Sequence, residues 1–314
     1  MTTDRDRKPT LLVALGGNAL IKKGQTGSIE EQFENLKIPA RQIARLSADY
    51  RIIITHGNGP QVGNLLLQQE CCDAVPKLPL EILVAQTGGQ LAYMIESTLD
   101  EALMEMGTEY RPLVSLITYV VVDRNDPAFE HPSKPIGPSF SPEKARALPY
   151  PTMETPKGHR RVVASPRPVT IVESREIRAL IDMDFIVICC GGGGIPVIRR
   201  GRAFNGVDAV IDKDLASARL ASELAIDLFV IATDVEGAML RFGKADQQML
   251  PRLTPETAAR YLAEGHFGTG SMGPKIEAAA GFVRSGGKRA VITSVEKIAA
   301  AVYDERVGTQ FMAG

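Results

Sequence analysis

Ile186-Val187-Ile188-Cys189-Cys190 runs directly into Gly191-Gly192-Gly193-Gly194, continues as Ile195-Pro196-Val197, and is followed farther along by Asp212-Lys213-Asp214. The apolar run is short, branched and stopped by glycine, which predicts a buried strand of a parallel sheet. The loop after it has almost no side chains, so its backbone N–H groups can approach a ligand that a Cβ would hold off. Phosphate is the usual ligand that benefits. The lysine between two aspartates stands where the next amphipathic helix begins, so a cation lies close to that anion site. The arrangement suits the handling of phosphate.

Working outward, strand, glycine turn and helix occur twice near the N-terminus. Thr10 to Leu15 reads as a strand and meets Gly16-Gly17-Asn18; a helix follows over residues 28–49, which Pro39 is expected to kink or divide. A second strand over residues 51–55 meets His56-Gly57-Asn58-Gly59-Pro60, and Pro60 opens the next helix, where its missing N–H is harmless. The pattern predicts an open α/β/α sandwich with a mainly parallel sheet and its ligand edge at the C-terminal ends of the strands. Residues 80–106 read as a helical stretch interrupted at Gly88-Gly89, and residues 111–122 as one strand. Ten of the 20 prolines then fall between Pro127 and Pro168, which predicts a small protruding subdomain, or lid, over about 121–168. Alternation resumes with helices over residues 172–182, 215–224, 254–264 and 276–284 and strands over residues 185–190, 227–233 and 289–293.

Bulk composition narrows the function classes. The 314 residues are 44% hydrophobic, ample for a core, and 36 basic against 37 acidic side chains leave a net charge of −1. That balance argues against nucleic acid or an anionic membrane as partner, so the basic groups that matter are local. The polar start of the chain resembles neither a signal nor a transit peptide, no apolar run is long enough to span a bilayer, and a cytoplasmic location is expected. The four cysteines form two adjacent pairs, Cys71-Cys72 and Cys189-Cys190, without metal-ligand spacing; they are expected as reduced thiols, and no metal ligands are assigned.

Three glycine turns share one logic. Gly16-Gly17-Asn18, Gly57-Asn58-Gly59 and Gly270-Ser271-Met272-Gly273 each stand at a strand end or deliver a helix N-terminus, whose free N–H groups favour anions. Lys213 and Lys275 flank such turns and are the candidate cations; Asp214 is expected to fix the lysine ammoniums. Dinucleotide, P-loop and protein-kinase signatures are missing.

Six stretches carry a resemblance in order along the chain: Val13 to Leu20, Thr55 to Asn64, Ser133 to Pro138, Gly191 to Val197, Val210 to Asp214 and Gly270 to Lys275. Together they resemble the carbamate kinases of the amino acid kinase superfamily. The resemblance implies a homodimer and the reversible transfer ATP + carbamate = ADP + carbamoyl phosphate, with Mg2+ accompanying the nucleotide. It implies an acceptor half over about 10–120 and 165–200, with Gly16, Gly17, Asn18, Gly57, Asn58 and Gly59 on carbamate or the phosphoryl group. It implies a nucleotide half over about 201–314, with Thr233, Asp234, Val235, Met272, Gly273 and Lys275 on ATP. Lys213 and Lys275 bracket the transferring group, Asp214 holds them, and Lys134 is carried over the site by the lid. Because carbamate is already an anion, no general base is expected. Departures from the family pattern are Gly88 in place of Gln, Ala92 in place of Gly, His159 in place of an aromatic, and Gly268-Thr269 in place of Ala-Pro. The first two are expected to alter the acceptor pocket or the dimer contact.

Overall fold

The computed structural model describes residues 7–17, 20–22, 24–107, 111–155, 158–268 and 272–314. In chain order the elements are β1 (Thr10–Leu15), α1 (Ile29–Leu46), β2 (Arg51–His56), α2 (Gly59–Glu70), α3 (Leu80–Glu105), β3 (Leu113–Ser115) and β4 (Tyr119–Val122). There follow β5 (Lys134–Phe140), α4 (Pro142–Arg146), β6 (Thr152–Thr155), β7 (Gly158–Val163) and β8 (Pro168–Ile171), then α5 (Ser174–Asp182), β9 (Ile186–Ile188), β10 (Ile195–Arg200) and β11 (Ala203–Gly206). The last third holds α6 (Lys213–Glu223), β12 (Leu228–Thr233), β13 (Met239–Leu240), β14 (Gln248–Met249), β15 (Arg252–Leu253), α7 (Pro255–Ala263), α8 (Met272–Arg284), β16 (Arg289–Ser294), α9 (Ile298–Tyr303) and β17 (Thr309–Phe311).

Eight strands form the central sheet in the order β15-β17-β16-β12-β1-β2-β9-β3. All neighbours run parallel except β16 and β17. β1 is buried along its whole length, and its alternate residues feed two different cores. Leu12 and Ala14 join Phe229 and Ile231 of β12 and pack under Leu220 of α6 and Ile276 and Phe282 of α8. Leu11, Val13 and Leu15 join Val230 and pack under Leu36 and Ile43 of α1, Leu91 and Ile95 of α3 and Ile298 of α9. Near-continuous apolar strands with helices on both faces make the expected open α/β/α sandwich. A smaller sheet, β11-β10-β4-β8, stands beside it.

Several local expectations are corrected. α1 runs unbroken through Pro39, anchored by a capping box in which Ser28 and Glu31 satisfy each other's backbone N–H. α3 also continues across Gly88-Gly89. There the missing side chains admit the glycine loop, since a Cβ on Gly191 would stand 3.1 Å from Gly88 Cα. Residues 111–122 are not one strand: β3 closes the edge of the central sheet and β4 belongs to the smaller one. Pro60 is the second residue of α2, not the first, and Cys71 caps the end of that helix rather than lying inside it. The short strands β10, β11, β13, β14, β15 and β17 have no counterpart in the sequence reading.

The proline-rich excursion folds as a three-stranded antiparallel sheet, β5-β7-β6. It sits on α2 over a small apolar cluster that includes Val62, Leu66, Ile136 and Val210. The closest approach is backbone to backbone: a Cβ on Gly63 would stand 2.0 Å from both N and Cα of Gly137. Only glycine at position 63 permits that seat.

Candidate active site

The parallel strands deliver their C-terminal ends to one edge, and the glycine turns follow there. β1 is followed by Gly16, whose N–H donates to Ala232 O at 3.0 Å, and Gly57 N–H after β2 donates to Leu15 O at 3.1 Å. A Cβ on Gly16 would come 2.9 Å from Ala232 O, so the first turn can lie this close to the end of β12 only without a side chain. α6 docks beneath them through Thr55 and Ser217, whose hydroxyls are 2.6 Å apart.

This edge opens into a cavity of about 570 Å³. Gly16, Gly17, Gly57, Asn58, Gly59, Lys134, Lys213, Asp214, Thr233 and Lys275 all line it, although they come from opposite ends of the chain. Asn18 and the turn residues 270–271 lie outside the described residues. Asp234 is exposed beyond β12, and Val235, Met272 and Gly273 do not line this cavity. Gly273 is buried in the first turn of α8, its N–H donating to Gly268 O at 2.9 Å.

At the centre lies Asp214, 2% exposed. Lys275 Nζ donates to its Oδ2 at 2.9 Å, and Lys213 Nζ donates to its Oδ1. Burial raises the cost of the carboxylate, but the two lysines outweigh it and hold Asp214 well below the usual carboxylate range. Lys213 is pushed below the ordinary lysine value, because its desolvation and the neighbouring Lys275 outweigh its share of Asp214. Lys275 is equally desolvated, yet Asp214 and Asp212 together lift it above that value. The result is a buried pair of ammoniums at the wall of the cavity, bridged by one carboxylate.

Asp212, for which sequence reasoning assigned no role, does two jobs. Its Oδ1 accepts from Asp214 N at 2.9 Å and Leu215 N at 3.3 Å as the N-cap of α6, and its Oδ2 takes Lys134 from the lid. An aspartate just before a helix is a readable cap signal; its second partner is not. Arg160 on β7 also lines the cavity and was likewise not singled out. Asn58 lines the cavity but spends its Nδ2 on Thr87 Oγ1 at 2.9 Å, beneath Gly192.

The tetraglycine loop is also required by the fold itself. Gly192 lines the cavity, but Gly192, Gly193 and Gly194 all have positive φ, and a Cβ on each would strike Asn58, Ile211 O or Val120. Backbone conformation and packing against the protein itself therefore demand these glycines, whatever ligand they meet. Behind the loop lies a second cavity of about 580 Å³, walled by His56, Gly88, Ala92 and Gly191. Among the described residues no lysine or arginine lines it, whereas Lys22, Lys134, Arg160, Lys213 and Lys275 line the first. Gly88 and Ala92 therefore line this second space and not the lysine cavity.

The amino acid kinase family profile matches residues 9–294. A carbamate kinase of Thermococcus kodakarensis is 46% identical over 96% of this chain and 98% of its own length. The chain belongs to the amino acid kinase family, and within it to the carbamate kinases. Among solved structures, carbamate kinase from Giardia lamblia bound to citric acid superposes with a TM-score of 0.92 at 36% identity, covering 98% of this chain and 99% of that one. The same Giardia enzyme bound to AMP-PNP superposes with a TM-score of 0.88 over the same shares. The family carries the expected fold, and the enzyme class that goes with it is a phosphotransferase.

Proposed function

We propose that this protein is a carbamate kinase that catalyses ATP + carbamate = ADP + carbamoyl phosphate in both directions. The observation that carries the reading is the pair of buried lysines, Lys213 and Lys275, sharing Asp214 in a cavity ringed by glycine turns. Phosphoryl transfer spreads negative charge over the equatorial oxygens, so fixed cations and N–H donors lower the barrier without covalent help. Lys213 and Lys275 bracket the transferring group, and Asp214 keeps both ammoniums charged and aimed. Gly16, Gly17, Asn18, Gly57 and Gly59 offer backbone N–H groups to carbamate or the phosphoryl group; Asn58 contributes by fixing the turn. Lys134 closes over the acceptor from the lid, anchored by Asp212. The nucleotide half follows β12 and α8, with Thr233, Asp234, Val235, Met272 and Gly273 around ATP; the relative seen with AMP-PNP supports nucleotide use.

Magnesium is proposed to enter with ATP. Among the described residues no cluster of three His, Cys, Asp or Glu side chains could hold a metal, and Asp212 and Asp214 are committed to lysines. Its ligands are then nucleotide oxygens, water and at most one or two carboxylates, the usual habit of this ion. When bound it neutralises charge on the phosphate chain.

A homodimer is proposed from the edge of the sheet, where β3 has no outer neighbour among the described residues and Tyr93 and Ile117 are 66% and 55% exposed. A single-chain mass by light scattering would reject it. No helix among the described residues is long and apolar enough to cross a membrane, which agrees with the proposed cytoplasmic location.

The reading is tested by a coupled assay of ATP formation from ADP, with carbamoyl phosphate, acetyl phosphate and N-acetylglutamyl phosphate as donors. Carbamoyl phosphate is expected to be used best by a wide margin. Preference for either other donor rejects carbamate as the acceptor.

A further inference from the structure

One wall of the lysine cavity is a loop with no helix or strand of its own. Ile21, Lys22, Gly24, Gln25 and Thr26, between β1 and α1, line the same cavity as Gly16, Gly17 and the Gly57–Gly59 turn. A backbone outside helices and sheets finds its partners in side chains or water. Here buried amides supply them.

Asn35 of α1 donates from Nδ2 to Leu20 O at 2.9 Å and to Gln25 Oε1 at 2.6 Å. Lys22 N–H donates to the same Gln25 oxygen at 2.7 Å, so the side-chain amide of Gln25 is gripped from two directions. One helical turn earlier, Gln32 Nε2 donates to Gly27 O at 2.7 Å, and Gln32 Oε1 accepts from Gln61 Nε2 at 2.8 Å. Gln61 follows Gly59 and Pro60, which line the cavity, in the first turn of α2. Both ends of the loop, Leu20 and Gly27, are therefore tied to α1, and α1 is tied to the second glycine turn.

Gln32, Asn35 and Gln61 are each 5% exposed or less. Burying an amide is costly unless it is hydrogen-bonded, and a plain surface connection from strand to helix needs no such support. A chain of dry amides behind a cavity wall instead serves to hold that wall in one shape before a ligand arrives, which lowers the ordering cost of binding. The wall belongs to the side of the cavity built by the first two glycine turns, across from Thr233 and Lys275 of the other half of the chain.

We infer that Asn35 is a positioning residue for the acceptor side of the cavity, acting through Gln25 and Leu20 to fix the wall against which carbamoyl phosphate binds. Asn35 does not itself line the cavity, so it reaches the ligand only through the loop. The inference rests on the proposed carbamate kinase reading for the identity of the ligand, and on the amide contacts alone for the positioning. Both contacts of Asn35 are donated to oxygens, so the nitrogen is the essential atom. Aspartate has the same shape, yet it would set a carboxylate against Leu20 O and Gln25 Oε1 and cannot stand in for it.

The test compares Asn35→Ala, Asn35→Asp, Gln25→Ala and the double variant of Asn35→Ala and Gln25→Ala in the ATP-forming assay, with Gln42→Ala as control. Gln42 makes a similar clamp two turns farther along α1, donating to Val295 O and accepting from Ala299 N, but it grips α9 and does not line the cavity. Asn35→Ala is expected to raise KM for carbamoyl phosphate about tenfold, as for one or two lost hydrogen bonds, with kcat and KM for ADP within about threefold. Asn35→Asp is expected to do at least as much harm, and the double variant little more than either single change, because both act through one contact. Gln42→Ala is expected to lower Tm and leave KM for carbamoyl phosphate within about twofold, as for a clamp that contributes stability alone. If Asn35→Asp does not fold, Asn35→Ala and Gln25→Ala, the latter at a half-buried loop position, decide the matter. An equal rise in KM from Gln42→Ala, an unchanged KM in Asn35→Ala, or losses that multiply in the double variant overturns the inference. If the wild-type protein uses acetyl phosphate or N-acetylglutamyl phosphate in place of carbamoyl phosphate, the same KM split read on that donor refutes the carbamate reading and leaves the positioning role standing.

Discussion

Two buried residues illustrate how charge is managed at this edge. Asp214 neutralises two ammoniums whose side chains are 8% and 10% exposed. In Asp214→Asn those charges stay buried without a partner, at an expected cost of about 3–5 kcal/mol in urea unfolding at pH 7. Lys213 already binds its proton less tightly in the fold than in the unfolded chain, and loss of Asp214 extends that to Lys275. The unfolded state then holds more protons below the ordinary lysine value, so the variant's stability rises as pH increases toward it. A loss under about 1 kcal/mol, judged against that buried-pair expectation, would reject this role. His56 has the opposite relation to acid. It is 1% exposed, and burial, with Lys213 nearby, lowers its pKa from 6.5 to about 4. Protonation therefore favours unfolding, and stability present above pH 6.5 is lost as pH falls toward 4. About 2 kcal/mol of wild-type stability is expected to disappear between pH 7.5 and 5, and His56→Gln should flatten that part of the profile. An equal slope in both proteins contradicts the assignment.

At the scale of elements, the lid seat is set by Gly63 on α2. Gly63→Ala places a methyl 2.0 Å from the Gly137 backbone, so β5 must lift and carry Lys134 and Arg160 with it. Turnover is expected to fall about tenfold to a hundredfold, since displacements near one ångström at a reacting centre have effects of that order, while ADP still binds. In a Lys134→Ala background the same substitution should cost little more; full additivity would show that Gly63 acts elsewhere. Neither the seat nor the fate of the helix breakers was legible in the sequence. Pro39 and Gly88-Gly89 were read by local propensity, but packing of one long buried face on each of α1 and α3 overrides it. What the sequence did disclose were features with strong local grammar. β1 and β2 were visible as apolar runs ended by glycine, and α7 through its Thr254 cap and Pro255. Short strands such as β13 and β14 have two residues each and no pattern to read.

For the whole molecule, parallel topology does what no single motif could. β1 lies between β2 and β12, from opposite halves of the chain, and so sets the glycine turns beside Thr233 and the two lysines. Lys213 and Lys275 were recognisable because each lies at the start of a helix beside glycine. Asp212 and Arg160 were harder, because their partners are set by where the lid settles. Arg160 and Arg161 are adjacent and identical in type, and only strand alternation sends one to the cavity and the other to Glu70. The central claim is that the two lysines act through Asp214 as one unit on the transferring phosphoryl group. It is tested most directly by the rate of ATP formation from ADP and carbamoyl phosphate in Lys213→Ala, Lys275→Ala and the double variant. Each single change is expected to reduce kcat by about a hundredfold or more, and the pair to lose little beyond that. A near-normal rate in either single variant, or losses that multiply in the double, would contradict it.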